Sequence, residues 1–285
     1  MKPELISLEQ DSSHNIYEIY NNFKAEEPFY SGACLAGLDT PEAWEIRLYL
    51  LGHSKDGRRG VAQGLAGIRT EKAYELRVNL LEDAPESVAR SLAGDDSEIA
   101  WQLRQKIKER LDEAGVANGL AESIANIDTP RAWELRNELL KDRQAISSIL
   151  EGLAGVNSEA AWKIRADYVN EYPAFVAGSL IGLSGQRVEA MRKQIASLDE
   201  QAVLMSYTGS NEPKAWELRD KFLNINPFFV GTSLAGIDNK KANETRERLI
   251  NMLTLNTGEA YNKVRKGILQ GLHSNYIFES LKTAA

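Results

Sequence analysis

The sequence predicts an all-α protein, an α-solenoid of about ten two-helix repeats of 27–32 residues each. Three observations lead to this prediction. A pentapeptide close to Ala-Trp-Glu-Leu-Arg recurs along the chain, a residue that can end a helix stands six positions before each copy, and an N-cap residue follows three positions after that. Arrays of this kind usually act as binding surfaces.

The pentapeptide marks the second helix of each unit, which we call helix B. Clear copies stand at 43–47, 73–77, 100–104, 132–136, 161–165 and 215–219, and weaker copies at 188–192 and 242–246. All five tryptophans occupy its second position: Trp44, Trp101, Trp133, Trp162 and Trp216. Its last position forms an arginine row: Arg47, Arg77, Arg104, Arg136, Arg165, Arg192, Arg219 and Arg246.

The turn before helix B is predicted by the residues at its two ends. Glycine or asparagine, which tolerate the left-handed conformation that ends a helix, stand at Gly37, Gly67, Gly94, Asn126, Gly155, Gly182, Gly209 and Gly236. The expected N-caps of helix B are Thr40, Thr70, Ser97, Thr129, Ser158, Gly185, Glu212 and Asn239.

The first helix of each unit, helix A, is short and rich in small and aliphatic residues. It begins at a proline in four units: Pro28, Pro85, Pro173 and Pro227. Three residues before the helix end the chain requires a small residue: Cys34, Gly64, Ser91, Ser123, Gly152, Ser179, Ser206 or Ser233. One position earlier lies the most variable site, which we expect at the solvent-facing edge of helix A: Ala33, Gln63, Arg90, Glu122, Glu151, Gly178, Met205 and Thr232.

We predict one domain over residues 1–285. Residues 1–28 would form a degenerate N-terminal capping repeat, 29–250 eight clear repeats, and 251–285 an insertion, with a helix over 258–269, followed by a degenerate C-terminal capping repeat. Atypical end units are typical of a complete solenoid, because its outer faces must meet water. Segment 53–59, HSKDGRR, is predicted to be a longer, solvated loop between two units, with contact to a small anion or a partner as the alternative.

Three interpretations of the arginine row stay open, because each arginine shares one edge of helix B with the tryptophan. In the first, favoured, interpretation the arginines form a structural ladder, each stacking on a tryptophan and bonding a carboxylate or helix-end carbonyl of the adjacent unit. In the second they bind phosphates or carboxylates of a ligand. In the third they are plain surface charges. Candidate partner acids near the turn, which could equally cap helix B, are Asp39, Asp96, Asp128 and Asp238, replaced by Asn157 and Asn211.

The exposed side of helix B is predicted to carry the third residue of the pentapeptide, as in Glu45 and Glu134, and the residue two positions after the arginine. The second of these positions varies between units, as a partner-binding face would. The predicted contact residues are Glu45, Tyr49, Asn79, Lys106, Glu134, Glu138, Asp167, Gln194 and Lys221.

Composition narrows the function classes. The net charge of −7 and the pI near 5.3 disfavour nucleic acid and anionic membranes as partners. The chain has no run of 18 apolar residues, no signal-peptide segment at 1–15 and a single cysteine, Cys34, so we expect a cytoplasmic protein with no membrane contact. Its three histidines lie far apart, and motifs such as HExxH, Walker A and GxGxxG are absent. No enzyme activity, metal or cofactor is therefore predicted.

The unit pattern resembles a known class of helical repeats. A V-A-x-S-L-A-G first helix, an Asp-Ser/Thr turn and Leu-Arg on the second helix are similar to short HEAT-like repeats and to the leucine-rich-variant type of repeat, over residues 7–281. The units are shorter than typical HEAT units. The resemblance implies a curved, right-handed solenoid whose concave groove binds proteins or peptides, and occasionally DNA or RNA. We therefore expect a protein- or peptide-binding scaffold or adaptor, with a nucleic-acid-binding protein that uses the arginine row as the alternative.

Overall fold

The structure, a computed structural model, describes residues 28–237 and 239–255. These residues form helices joined by turns, without any β-strand, so the all-α prediction is confirmed over this part of the chain. Residues 1–27 of the predicted N-terminal capping repeat lie outside the described residues, as do residues 256–285, which include the predicted 258–269 helix.

The described helices alternate between helix A and helix B. In chain order they are α1 (Pro28–Ala33), α2 (Pro41–His53), α3 (Lys55–Gln63), α4 (Glu71–Leu80), α5 (Pro85–Arg90), α6 (Glu98–Lys108), α7 (Val116–Ser123), α8 (Pro130–Leu139), α9 (Ile146–Glu151), α10 (Glu159–Tyr168), α11 (Pro173–Ser179), α12 (Gln186–Leu198), α13 (Pro213–Phe222), α14 (Pro227–Ser233) and α15 (Lys240–Leu255). A 3₁₀ turn at Arg143–Ala145 leads into α9, and a 3₁₀ helix at Ala202–Tyr207 replaces helix A in the seventh described unit.

The predicted helix ends are confirmed. All eight glycine and asparagine positions adopt left-handed backbone angles, with φ between 60° and 79°. The predicted N-caps stand at the described starts of helix B, and three of them bond through the side chain. Thr40 and Ser97 each accept a bond of 3.3 Å, from Ala43 N–H and Ala100 N–H. Local chain chemistry therefore sets where each unit turns.

Helix A of each unit packs against helix A of the next unit and against helix B of its own unit. Glycine permits this close approach. A Cβ atom on Gly60 would lie 2.2 Å from Phe29 O, and one on Gly119 would lie 2.5 Å from Glu86 O. The aliphatic stripes of both helices, such as Val88 and Leu92, are fully buried between the units and form the core.

One local prediction is wrong. Segment 53–59 is not a loop, because Ser54 caps α3 by accepting a 2.9 Å bond from Gly57 N–H, and residues 55–59 form the first turns of that helix. The segment contains a common helix start, a serine N-cap followed by an acidic residue, Asp56, in the first turn. The basic residues of the segment led to the prediction of a loop. Gly57 and Gly60 are buried against neighbouring helices, so this segment belongs to the packed row.

Replacing Gly119 by alanine tests the close packing of the A helices. The new Cβ meets backbone atoms of Glu86 that cannot rotate away. We expect a loss of about 1–3 kcal/mol in the free energy of unfolding, measured by urea denaturation. Gly52→Ala is the matched control, because a Cβ there has no neighbour within 4 Å. That variant should gain about 0.5–1 kcal/mol from helix propensity, and an equal response of both variants would contradict the packing described here.

Candidate functional site

The arginine row lies inside the protein. The side chains of Arg47, Arg77, Arg104, Arg136, Arg165 and Arg219 are at most 1 % exposed. Arg192 is 9 % exposed, and Arg246, in the last described unit, is half-buried. The arginines are thus the largest fully buried side chains of the described structure.

Seven of these eight guanidinium groups bind the end of helix A in their own unit, and the eighth, Arg192, instead donates to Glu189 at 2.5 Å. For the seven, the acceptor is the carbonyl twelve residues earlier in the chain. Nη2–O distances run from 2.6 Å to 3.0 Å for Arg47–Leu35, Arg77–Leu65, Arg104–Leu92, Arg136–Ile124, Arg165–Leu153, Arg219–Tyr207 and Arg246–Leu234. Each of these carbonyls also accepts a backbone N–H from the residue three positions later, so the arginine adds a second hydrogen bond to a carbonyl at the end of helix A.

The same guanidinium also binds helix A of the next unit. In five units Nε donates to a serine hydroxyl at 2.9–3.0 Å, in the pairs Arg77–Ser91, Arg104–Ser123, Arg165–Ser179, Arg192–Ser206 and Arg219–Ser233. Nη2 of each also donates to the carbonyl of the same serine. The serine is the small residue that the sequence requires before the helix end. We call this arrangement of one arginine bonded to two consecutive A helices the arginine staple.

In two units the small position is glycine, so the staple lacks the bond to a serine hydroxyl. Gly64 still accepts through its carbonyl, 3.1 Å from Arg47 Nη2. Gly152, which follows the unit of Arg136, likewise has no hydroxyl to offer Nε, and Arg136 donates to Ile124 O at 2.6 Å. The staples therefore differ in their number of hydrogen bonds, and Arg165 and Arg219 each donate four.

The carboxylates near the turn pair with tryptophan rather than with the arginine row. Trp44, Trp101 and Trp133 donate their indole N–H to an aspartate five residues earlier at 2.6 Å, and Trp162 and Trp216 donate to an asparagine at 2.8 Å. The proposed pairing of these acids with the arginines is thus wrong for the described ones, because the guanidinium groups point inward to carbonyls. Asp238 lies outside the described residues.

The tryptophans stack on the staples. The Cζ atom of the motif arginine lies 4.6–4.9 Å from the centre of its own tryptophan ring in all five units. A cation from the next unit lies over four of the same rings, at 3.9 Å or 4.6 Å, in the pairs Lys72–Trp44, Arg131–Trp101, Arg187–Trp162 and Lys241–Trp216. These contacts tie neighbouring B helices together.

Burial also lowers the pKa of the arginine side chains. Desolvation lowers the pKa of Arg77, Arg104, Arg136, Arg165 and Arg219 to about 10. They therefore stay charged at neutral pH, and their charge is stabilised by carbonyl dipoles and ring faces. A phosphate in solvent cannot reach the six fully buried members.

The predicted contact residues of helix B lie at the surface. Glu45, Tyr49, Asn79, Lys106, Glu134, Asp167, Gln194 and Lys221 are exposed. Glu138 is half-buried and forms an ion pair of 2.5 Å with Lys108. They are spread over seven consecutive B helices, α2 to α13, and do not gather into one cluster.

A groove of about 310 Å³ lies between α6 and α8. It is lined by Glu98, Trp101, Gln102, Gln105, Lys108, Arg131, Glu134, Leu135 and Glu138. Glu134 and Glu138 were predicted as contact residues, and the others were missed. Glu98, Gln102 and Gln105 share one face of α6, and their helical spacing is visible in the sequence. The groove itself could not be predicted, because it also requires the position of α8.

A second polar surface follows the row of A helices. Arg59, Glu86, Arg90 and Glu122 alternate in sign along it, with ion-pair distances of 3.6 Å, 3.0 Å and 3.1 Å between successive members. Glu151 comes next. We call this row of A helices the inner row. It contains the variable position of helix A, which was expected to face solvent. That expectation is wrong for Ala33, Gln63, Gly178 and Thr232, which are buried, because adjacent A helices lie close enough to cover them.

Glu151, the next residue of this row, has a raised pKa. Although the side chain of Glu151 reaches solvent, desolvation by its surroundings and the negative charge of Glu122 raise the pKa of Glu151 to about 7, against the opposing effect of Arg90. Desolvation also raises the pKa of Glu122, which accepts a 3.2 Å bond from Ser148.

Comparison with known proteins adds no identification: neither a family model nor a curated protein nor a solved structure matches the chain. Within residues 28–237 and 239–255, no group of three or more His, Cys, Asp or Glu side chains could hold a metal ion. Among the described helices, none is long and apolar enough to cross a membrane. The only cysteine, Cys34, is buried.

Replacing Arg165 by glutamine tests the arginine staple. The change removes a charged donor and leaves the carbonyls of Leu153, Val156 and Ser179 without it. We expect the free energy of unfolding to fall by about 3–5 kcal/mol, measured by urea denaturation.

Arg136→Gln should cost less, because that staple lacks the serine hydroxyl. Arg143→Gln is the surface control, since its side chain is 78 % exposed, and should change stability by less than about 1 kcal/mol. Equal stability of the Arg165 and Arg143 variants would contradict the staple.

Glu151→Gln tests the perturbed acid. The folded-state pKa lies above the ordinary 4.5, so between pH 4.5 and 7 the folded state holds a proton that the unfolded state has lost. This acid therefore makes the wild-type protein less stable as pH rises through that window. We expect the difference in urea midpoint between pH 5 and pH 8 to shrink in Glu151→Gln, and an unchanged difference would contradict the assignment.

Proposed function

We propose that the chain is an α-solenoid of about ten two-helix repeats that acts as a protein- or peptide-binding scaffold. The observation that carries the proposal is a contrast between two sets of positions. The buried positions of each unit repeat the same residues, whereas the surface position two residues after the motif arginine differs from unit to unit.

The repeated set is used entirely for internal contacts. Its arginines bond two A helices, its tryptophans bond the turn and stack on cations, and its serines bridge the units. The variable set, from Tyr49 on α2 to Lys221 on α13, lies on this frame at the protein surface. A surface that varies on a constant frame is what a repeat protein offers to a partner.

The packing supports a curved array. A helices touch backbone to backbone at Gly60 and Gly119. Neighbouring B helices are bridged by long side chains, as in Lys108–Glu138 at 2.5 Å and Arg187–Glu159 at 2.6 Å. Narrow spacing on one side and wide spacing on the other would place the A helices on the concave side and open grooves between B helices.

A protein or peptide fits these surfaces better than nucleic acid. The net charge is −7, and the groove between α6 and α8 presents carboxylates and amides as well as cations. The nucleic-acid alternative depended on an arginine row that the fold buries. We retain a cytoplasmic, non-enzymatic role without a cofactor as part of the proposal.

The test compares partners retained by the full-length protein and by surface variants. Tagged wild-type protein, Glu134→Arg and Asp167→Arg would be used for pull-downs with and without nuclease, read by quantitative mass spectrometry. Asp112→Arg is the control, because it makes the same charge change on an exposed residue between helices α6 and α7.

We expect nuclease-resistant proteins that bind wild type and the control and are depleted at least several-fold by a helix B variant with unchanged melting temperature. Partners that vanish with nuclease would favour the nucleic-acid alternative. Identical partner sets for all variants would remove helix B as the binding face.

A further inference from the structure

Open space lies beside Gly178 in the row of A helices, and we call it the depression. The residue is buried in the last turn of α11, one position before the helix ends, yet a Cβ atom built on it would meet nothing within 4 Å among the described residues. Glycine is the least favourable residue in a helix interior apart from proline. At the same position the other described units carry alanine or a larger side chain.

Close packing explains other glycines of the A helices. Cβ atoms on Gly32, Gly60, Gly64 and Gly119 would all lie within 2.6 Å of a backbone atom of a neighbouring helix. Gly178 has no such neighbour. Its lack of a side chain therefore serves no contact that the described chain makes.

The surroundings of the depression are acidic on one side and apolar on the other. Residues at equivalent positions of consecutive A helices face each other, as Arg90 Nε and Glu122 Oε2 do at 3.1 Å. In the same register Glu151 precedes Gly178 and Met205 follows it, since α11 contacts both α9 and the 3₁₀ helix Ala202–Tyr207. Half-buried Phe175 lies on α11, about one turn before Gly178.

The alternation of positive and negative side chains along the inner row stops at Glu151. Arg59, Glu86, Arg90 and Glu122 alternate in sign, and the next member in the alternation would be a cation. The chain instead supplies Glu151, which takes part in no ion pair within the described residues. Desolvation and the negative charge of Glu122 raise the pKa of Glu151, and the positive charge of Arg90 only partly offsets them.

We propose that the depression at Gly178, between Glu151 on one side and Met205 on the other and one turn after Phe175, binds a peptide segment of the partner through a lysine or arginine next to an apolar side chain. The cation completes the alternating charge row, and the apolar side chain fills the space that glycine leaves. This inference deepens the proposed function and rests on it, because it names the chemistry of the partner.

The experiment selects binders from a displayed library of random dodecapeptides on the immobilised full-length protein. Selected peptides are then measured by fluorescence anisotropy against wild type, Gly178→Leu, Glu151→Gln and Gly52→Leu. Gly52 is the matched control, because it too lies in a helix with nothing within 4 Å of an added Cβ, but on α2 of the outer row.

The expected peptides combine a lysine or arginine with an apolar residue within four positions. Gly178→Leu should weaken their binding at least tenfold, Glu151→Gln several-fold, and Gly52→Leu not measurably. Gly178→Ala adds a readout that a purely structural role cannot imitate. Its melting temperature should rise by about 1–3 °C through helix propensity while its peptide affinity falls.

The outcomes separate this inference from the scaffold proposal. Peptides that bind Gly178→Leu as tightly as wild type would overturn the depression as the site and leave the scaffold standing. Failure to select any peptide would count against the scaffold as well. A wild-type dimer that Gly178→Leu separates into monomers would overturn the peptide assignment in favour of a second copy of the chain.

Discussion

The structure depends on one interaction, the hydrogen bonds from a buried arginine to the carbonyls that end two consecutive A helices. The described A helices contain only six to nine residues, so a large share of their carbonyls has no partner within the helix. Packing such helices side by side would bury these acceptors. A guanidinium group, with five donors in one plane, satisfies several of them at once.

The staple also explains how a full charge can lie in the core without a carboxylate partner. The C-terminal end of a helix carries partial negative charge, and the face of an aromatic ring is electron-rich. Arg165 meets both, with carbonyls at 2.7–2.9 Å and Trp162 at 4.8 Å. Because the same arginine holds two units in a fixed relation, the inner row and the exposed face of helix B are free to vary without loss of the frame.

Much of this frame could be predicted from local sequence signals. Glycine and asparagine marked the end of every described A helix, and the spacing of Trp133 and Arg136 indicated that they share one edge of helix B. The carbonyl acceptors could not be predicted, since they lie twelve residues earlier and in the next unit. The serine requirement was visible, but its reason needed the position of the neighbouring arginine.

The errors have a common physical origin in packing between units. The basic residues after Ser54 suggested a loop, but Ser54 caps the start of a helix. The variable position of helix A was expected in solvent, and the closeness of adjacent A helices buries half of it. The groove between α6 and α8 and the depression at Gly178 likewise arise from the spacing of helices, which the sequence of one unit does not encode.

The most direct test of the staple is hydrogen exchange of the arginine side chains in ¹⁵N-labelled protein, followed by NMR in D₂O. The account predicts that Nε–H signals of Arg77, Arg104, Arg165 and Arg219 persist long after that of exposed Arg143 has vanished, because each is buried and bonded to a serine hydroxyl. Signals are assigned by single Arg→Lys substitution. Exchange of all Nε–H groups as fast as that of Arg143 would contradict a buried, hydrogen-bonded arginine row.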